Sequence, residues 1–512
     1  MASVKNLVME LDGPGMTFLH RAGLAGLWMT LESIEHESTA RQVLEKAGGS
    51  WSRTSTSVTL RWEDDGGRFL KALLHESFRV DENGLIWFEG IGHPSKRLPS
   101  AVGLHNAVLG SFLQHAKSRS VESTTSSSLS IDVDGTPYAY HYRKLKSYKH
   151  QEVALPLDGG VAALAGWQYP GGAVRHSGHG DGSTALEEPL GRFLPLLFAP
   201  VGAIYFVVRK MGEGIRPQYA IVIPDVKDLQ TYVEVRRIFL SEWGILDIYV
   251  SGTEEAAFRV LASLQARRML DRLRSGSCHV ISFGTVPWSS RQKTRVEVFN
   301  VRVGTKDGMF PYLVSRTQPD LLPHLVQPKN QEPFIDVPQV PSLIASNLAN
   351  RRLWWSGFGI FAADPKRWAH IIRYEGNGLA HMVEGAETIP DGAERVLVRA
   401  CHEAWRNRLG KLGEDARSRG VPFSKLHDRE FERTRLVFVH CKDLNTFRET
   451  ITGFWARNGT LDSLKERWGE ILPFLGPRWQ EGRDLALLAL ASYRGKSRDS
   501  AGSIEEGDKE EE

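Results

Sequence analysis

Residues Asp12–Leu31 read DGPGMTFLHRAGLAGLWMTL, and the first half of the chain is organised around them. Gly13, Pro14 and Gly15 make a turn that cannot be helix interior. Thr17 is placed to cap a helix that runs to about Leu31. Phe18, Leu19, Ala22, Leu24, Ala25, Leu27, Trp28 and Leu31 leave that helix without a polar face, the pattern of a helix buried inside a larger core. Gly23 and Gly26 each cost about 1 kcal/mol relative to alanine in a helix interior, and close approach of a second backbone is the physical candidate for offsetting them. His20 and Arg21 fall in the first turns, either as a partly exposed helix end or as an anion site at the N-terminus.

The chain has 512 residues, enough for two or three domains. Its 41% hydrophobic and 24% charged content is that of an ordinary globular protein, and a net charge of +3 permits nucleic-acid binding without demanding it. The N-terminus lacks a basic-then-apolar signal pattern, and the longest apolar run, 193–208, is interrupted by Pro195 and Pro200. A cytoplasmic protein is expected. Three cysteines, Cys278, Cys401 and Cys441, are too few for a disulfide framework.

Downstream, Val58, Leu60 and Trp62 alternate as a half-buried strand. Short helices are expected over 68–77 and 105–117, a strand over 85–88, and a polar loop over 118–128. Asp134-Gly135 marks a hairpin between 129–133 and 136–144, with Tyr138, Tyr140 and Tyr142 on one face and Lys144, Lys146 and Lys149 at its end. Tyrosines beside lysines suit base stacking; a period-two stripe equally suits a face packed on a core. Residues 159–183 form a glycine-rich loop. Strands over 201–208, 219–223, 246–250, 280–283 and 295–303 then interleave with helices over 226–242 and 254–274, capped by Asp225 and Thr253, to give an α/β layer. Six prolines between Pro319 and Pro341 predict an extended linker. From 342 to 493 the pattern is helical throughout.

The expected class is therefore α+β: an N-terminal mixed α/β region (1–318) with an antiparallel hairpin and a glycine-rich loop, a linker (319–341), an all-α C-terminal helical bundle (342–499) and a disordered acidic tail (500–512).

No phosphate-cradling loop, strand–GxGxxG–helix element or GxSxG elbow is present. His176, His179 and Asp181 form an HxxHxD pattern in the glycine loop, without the further ligands a metal site needs. Each cysteine adjoins a histidine, but neighbours on a helix or strand point apart, so buried structural cysteines are expected. A non-enzymatic protein without cofactor or metal follows. In the helical part, Arg351 and Arg352 precede Trp354 and Trp355, and Arg399, Arg406, Arg408 and Arg417 stud one long helix. Such arginines are either a solvated face or, with the tryptophans, a surface that tracks single-stranded nucleic acid.

PGMTFLHRAGLAGL, with WQYPGGAVRH (167–176) and FAPVG (198–202) in order behind it, resembles the Myxan-subtype large subunit of type I CRISPR interference complexes (Cascade). The resemblance implies a subunit that reads the protospacer-adjacent motif on double-stranded target DNA, starts strand separation and helps hold the displaced strand. Its implied partners are guide RNA, target DNA, the backbone and 5′-handle-binding subunits, and a downstream helicase-nuclease or transposon targeting subunit, with no membrane. Within that frame the glycine loop is either the motif reader or a structural loop at a subunit contact; as a reader its residues divide the work. Gly171 and Gly172 let backbone approach a groove, Arg175 addresses guanine, Gln168 and His176 meet base edges, and Trp167 or Tyr169 wedges at the first unpaired step. The lysine-rich strand end is the second choice. Two other classes fit the residues less well: a nucleic-acid-processing enzyme of the same locus, and a developmental regulator that binds duplex DNA without a guide.

Overall fold

The computed structural model describes residues 5–63, 66–170, 186–209, 218–273, 276–288, 291–302, 306–329, 331–386 and 388–495. The chain divides into two compact units, Met1–Leu313 with Leu322–Arg352, and Val314–Leu321 with Leu353–Glu512.

In the first unit the opening helix spans Phe18–His36, one turn and more beyond the expected end, with Thr17 as its cap. Its partner is the helix Leu190–Gly202, which contains Pro195 and Pro200. The two backbones touch: a Cβ on Gly26 would lie 2.3 Å from the Phe198 carbonyl oxygen, and one on Gly202 would lie 2.0 Å from that of Ala22. This is the close approach that the helical glycines required. It also explains why FAPVG is the last turn of a helix, while the strand expected from residue 201 starts only at Ile204. Packing on the opening helix outweighs the β-propensity of Val201.

A three-stranded antiparallel sheet, with Ser57–Trp62 between Lys5–Glu10 and Gly49–Arg53, covers the same core. Val58, Leu60 and Trp62 are its buried face, as their alternation predicts. The larger sheet has five strands in the order Tyr249–Val250, Ile204–Val208, Gln218–Pro224, Ser277–Trp288 and Arg291–Arg302. Only the first pair is parallel; Ile221 opposite Ile281 fixes the central register. The helix Leu229–Glu242 is capped by Asp228, whose Oδ1 accepts from the Thr231 amide at 2.7 Å. The expected cap, Asp225, instead pairs with Lys227 at 3.4 Å. The next helix starts at Thr253 with Gly252 before it.

Three further expectations shift. The helix placed at 105–117 is Leu98–Gly110, started by Pro99 at its first turn. The polar stretch expected as a loop contains the strand Arg119–Val121, paired with Leu145–Tyr148. The proline-rich stretch is not a bare linker. His324–Val326 pairs with Phe334–Asp336, Ile335 and Val337 are buried with Tyr140 and Tyr249, and the helix Val340–Ala349 packs on Thr253–Ala266. The apolar residues between the prolines bind the stretch to the first unit.

The second unit is helical. Its long helix, Ala393–Arg419, stops at Gly420 with φ +63°. Helices Phe423–Val439, Leu444–Arg457 and Trp479–Ser492 follow. Leu444–Arg457 starts where Asp443 caps it, accepting from the Thr446 amide at 2.9 Å. The last helix is buried from Asp484 to Ser492 and packs on the long helix and on Phe358–Ala363. Asp484 caps the latter, accepting from the amides of Gly357 at 2.7 Å and Gly359 at 3.0 Å. The architecture is an N-terminal mixed α/β region with antiparallel sheets and an all-helical C-terminal region. Among the described residues, no helix is long and apolar enough to cross a membrane.

Candidate nucleic-acid interface

The hairpin forms around Asp134 and Gly135, both at positive φ. Its tyrosine stripe faces inward. Tyr140 and Tyr142 are buried, the Tyr249 hydroxyl donates to that of Tyr140 at 3.0 Å, and the Tyr142 hydroxyl donates to the Asn83 carbonyl at 2.9 Å. The stripe is core and offers no stacking platform. His105 ties the hairpin down, its Nδ1 accepting from the Ile86 amide at 3.1 Å and its Nε2 donating to the Arg143 carbonyl at 2.8 Å. Burial pulls this imidazole down to about 4. Beyond the hairpin, Lys146 and Lys149 are exposed and Lys144 half-buried, none ion-paired among the described residues.

His20 is neither an exposed helix end nor an anion site. It is 1% exposed, its Nδ1 accepts from the Thr17 amide at 3.3 Å, and burial beside Arg192 pulls it down to about 4. Arg21 pairs with Asp12 at 3.1 Å, so its charge is already answered.

The described part of the glycine-rich stretch packs inward. Trp167 meets the His150 ring edge-on at 4.7 Å, and Tyr169 lies 6.0 Å from the His20 ring. Gln168 is 3% exposed and its Oε1 accepts from the Ala165 amide at 2.7 Å. That carbonyl closes a turn and does not face a base edge. Gly171, Gly172, Arg175 and His176, like His179 and Asp181, lie outside the described residues.

In the helical unit the expected tryptophan surface is overturned. Trp354 and Trp355 are buried, packed edge-to-face at 5.6 Å, and the Trp354 Nε1 donates to the Thr388 carbonyl at 3.1 Å. They are core residues, because two adjacent indoles carry more apolar area than a solvated turn tolerates. Arg351 and Arg352 are exposed in the first unit.

The arginines of the long helix sort onto different faces. Arg408 is committed to Glu430 at 2.8 Å. Arg417 donates to the Gly413 carbonyl of its own helix at 3.2 Å. Arg399 and Arg406 are exposed and in no ion pair among the described residues. They share one cleft of about 310 Å³ with Arg395 and Arg494. Arg395 and Arg399 are four apart, and Arg406 follows seven later, so all three project from one helix face. Among the described residues, Glu384 and Glu403 are the carboxylates that line this cleft. Glu384 faces the Nδ1 of His402 at 2.9 Å, and this contact holds its carboxyl below the usual range. Glu403 accepts from the Ser463 amide at 3.2 Å. Both carboxylates are engaged in the wall, which leaves Arg399 and Arg406 as the cations available to an anion.

Sequence reasoning named Arg399 and Arg406 and missed Arg395 and Arg494. The i,i+4 spacing from Arg399 was a usable signal for Arg395; nothing local marked Arg494. It also missed Trp468, 57% exposed in the helical unit. The three cysteines are buried and free, and burial raises the Cys401 thiol to about 12. Among the described residues no cluster of three or more His, Cys, Asp or Glu is placed to hold a metal.

Residues 8–197 match the DevT N-terminal domain and residues 386–512 the DevT C-terminal domain. The chain is 29% identical to "CRISPR-associated protein Cas8a1/Csx13" of Myxococcus xanthus (strain DK1622), over 98% of this chain and 91% of that protein.

Proposed function

The chain belongs to the DevT family, the Myxan-subtype large subunits of CRISPR effector complexes, and from that premise we propose that its helical unit holds the displaced DNA strand while its N-terminal unit reads the protospacer-adjacent motif. In such a complex base pairing with the guide RNA reads the sequence, and the protein reads the motif and the backbone. The observation that carries the proposal is the cleft on Ala393–Arg419, where Arg399 and Arg406, in no ion pair among the described residues, stand beside Arg395 and Arg494. A displaced single strand presents phosphates to such a groove, and each contact releases counterions.

Motif reading is assigned to the glycine-rich stretch 166–182 on its sequence: Arg175 is suited to a guanine edge and the glycines to close backbone approach. The lysines at 144–149 are the adjoining cations. The subunit is proposed to act without catalysis or cofactor and to pass the opened target to a helicase-nuclease or a transposon targeting subunit.

The test uses the assembled complex with guide RNA and a target whose displaced strand carries photoreactive bases. Cross-links to peptides of Ala393–Arg419 are expected. Cross-links from that strand to other subunits alone would contradict the assignment.

A further inference from the structure

A second cavity lies in the first unit, and its chemistry is different. Its walls include Phe88, Leu104, Phe239 and Trp243, and the guanidinium of Arg236 forms part of its lining. Arg236 is only 4% exposed. Its Nε donates to the Val201 carbonyl at 3.3 Å, at the C-terminal end of Leu190–Gly202. That carbonyl and the helix dipole give partial compensation. No other protein acceptor for Arg236 is found among the described residues, and no carboxylate lines the cavity. Burial pulls the guanidinium down to about 10. A buried cation without a carboxylate is among the costlier arrangements in a protein interior.

The two hydroxyls of the lining are already used. The Tyr205 hydroxyl donates to the Pro200 carbonyl at 2.6 Å, and the Ser100 hydroxyl to the Trp243 carbonyl at 3.1 Å. At the exposed side Arg97 donates to the Leu240 carbonyl at 2.6 Å. Arg236 is the buried cation of this lining, and the one acceptor it has is the Val201 carbonyl among the described residues. The missing element is an anion with an apolar body.

Size selects among anions. At roughly 10–15 Å³ per water-sized group, a cavity of about 70 Å³ holds about six such groups. That matches a carboxylate on a short branched or unbranched apolar stem. It is too small for base, sugar and phosphate together.

We propose that this cavity is a binding site for a carboxylate on a short apolar stem, held by the Arg236 guanidinium. The proposal does not depend on the strand-holding cleft, which lies in the other unit.

The test uses the full chain and three probes followed by ligand-observed NMR: 4-methylpentanoate, its uncharged isostere 4-methylpentanamide, and adenosine 5′-monophosphate. The acid should bind saturably and the amide about tenfold or more weakly, the share expected of a charge-assisted contact. Arg236→Met should abolish the difference between acid and amide. Ala101→Phe, which fills the cavity mouth and leaves Arg236 in place, should abolish binding of both, so the result does not rest on one variant's folding. Equal binding of acid and amide to the parent, binding of the nucleotide in place of the acid, or binding of none of the three would each overturn the proposal. A parent that binds no probe, with an Arg236→Met variant of lowered thermal midpoint, would assign Arg236 to capping the helix alone.

Discussion

Gly23 lies directly against Pro195: a Cβ built on Gly23 would sit 1.9 Å from the Pro195 carbonyl oxygen and 3.1 Å from the Ala199 amide nitrogen. Backbone meets backbone there, so no rotamer change can relieve an added methyl. Gly23→Ala gains about 1 kcal/mol of helix propensity but forces the two helices apart, at about 1–3 kcal/mol or more. The net expectation is destabilisation, larger still for Gly23→Val. Chemical denaturation of the full chain checks this; a Gly23→Ala variant as stable as the parent would mean that the two helices are not in contact.

Acid should weaken the N-terminal unit before its carboxylates titrate. His20 and His105 are pulled down to about 4 and His150 to about 3, all chiefly by burial. Because these folded values lie below the ordinary value of 6.5, the unfolded chain takes up protons first. Stability is therefore complete above about pH 6.5 and falls as pH drops toward 4, each unit of separation being worth about 1.4 kcal/mol per histidine. Among the described residues His150 has no hydrogen-bond partner for either ring nitrogen, and it sits among Phe78, Tyr148 and Trp167. His150→Phe should flatten the slope between pH 6.5 and 4 without lowering the melting point at pH 7.5. An unchanged slope would point to carboxylates instead.

Tyr140→Phe tests the orientation of the hairpin. It strands the buried Tyr249 hydroxyl, whose hydrogen-bond acceptor at 3.0 Å is Tyr140, at a cost of about 1–3 kcal/mol. DNA affinity at saturating folded protein should not change. A loss of affinity without a loss of stability would return the tyrosine stripe to a binding role.

Arg175→Ala addresses motif reading. Target binding by the assembled complex should weaken by about 1–3 kcal/mol and discrimination should relax at one motif position. A variant that assembles and discriminates as the parent does would move the reader to Lys144–Lys149.

What the sequence made legible follows from local physics. Gly23 and Gly26 in an apolar helix demanded a close backbone neighbour. Asp134-Gly135 demanded a tight hairpin. What it hid are long-range relationships. Nothing in the neighbourhood of Arg408 says that Glu430 neutralises it, whereas Arg406 two residues earlier is in no ion pair among the described residues. Trp354 and Trp355 look like an aromatic surface beside arginines, and only the fold of the helical unit buries them. The prolines between 319 and 341 concealed Ile335 and Val337, which are core residues.

The most direct test of the strand-holding reading is the salt dependence of single-stranded DNA binding by the parent, by Arg399→Gln/Arg406→Gln and by Arg408→Gln. Each phosphate contact to a single strand contributes about −0.7 to the log–log slope. The double variant should therefore bind more weakly with a slope shallower by about 1.4, while Arg408→Gln, which loses a pairing to Glu430, should keep the parent slope. An unchanged slope in the double variant, or flattening confined to Arg408→Gln, would contradict the account.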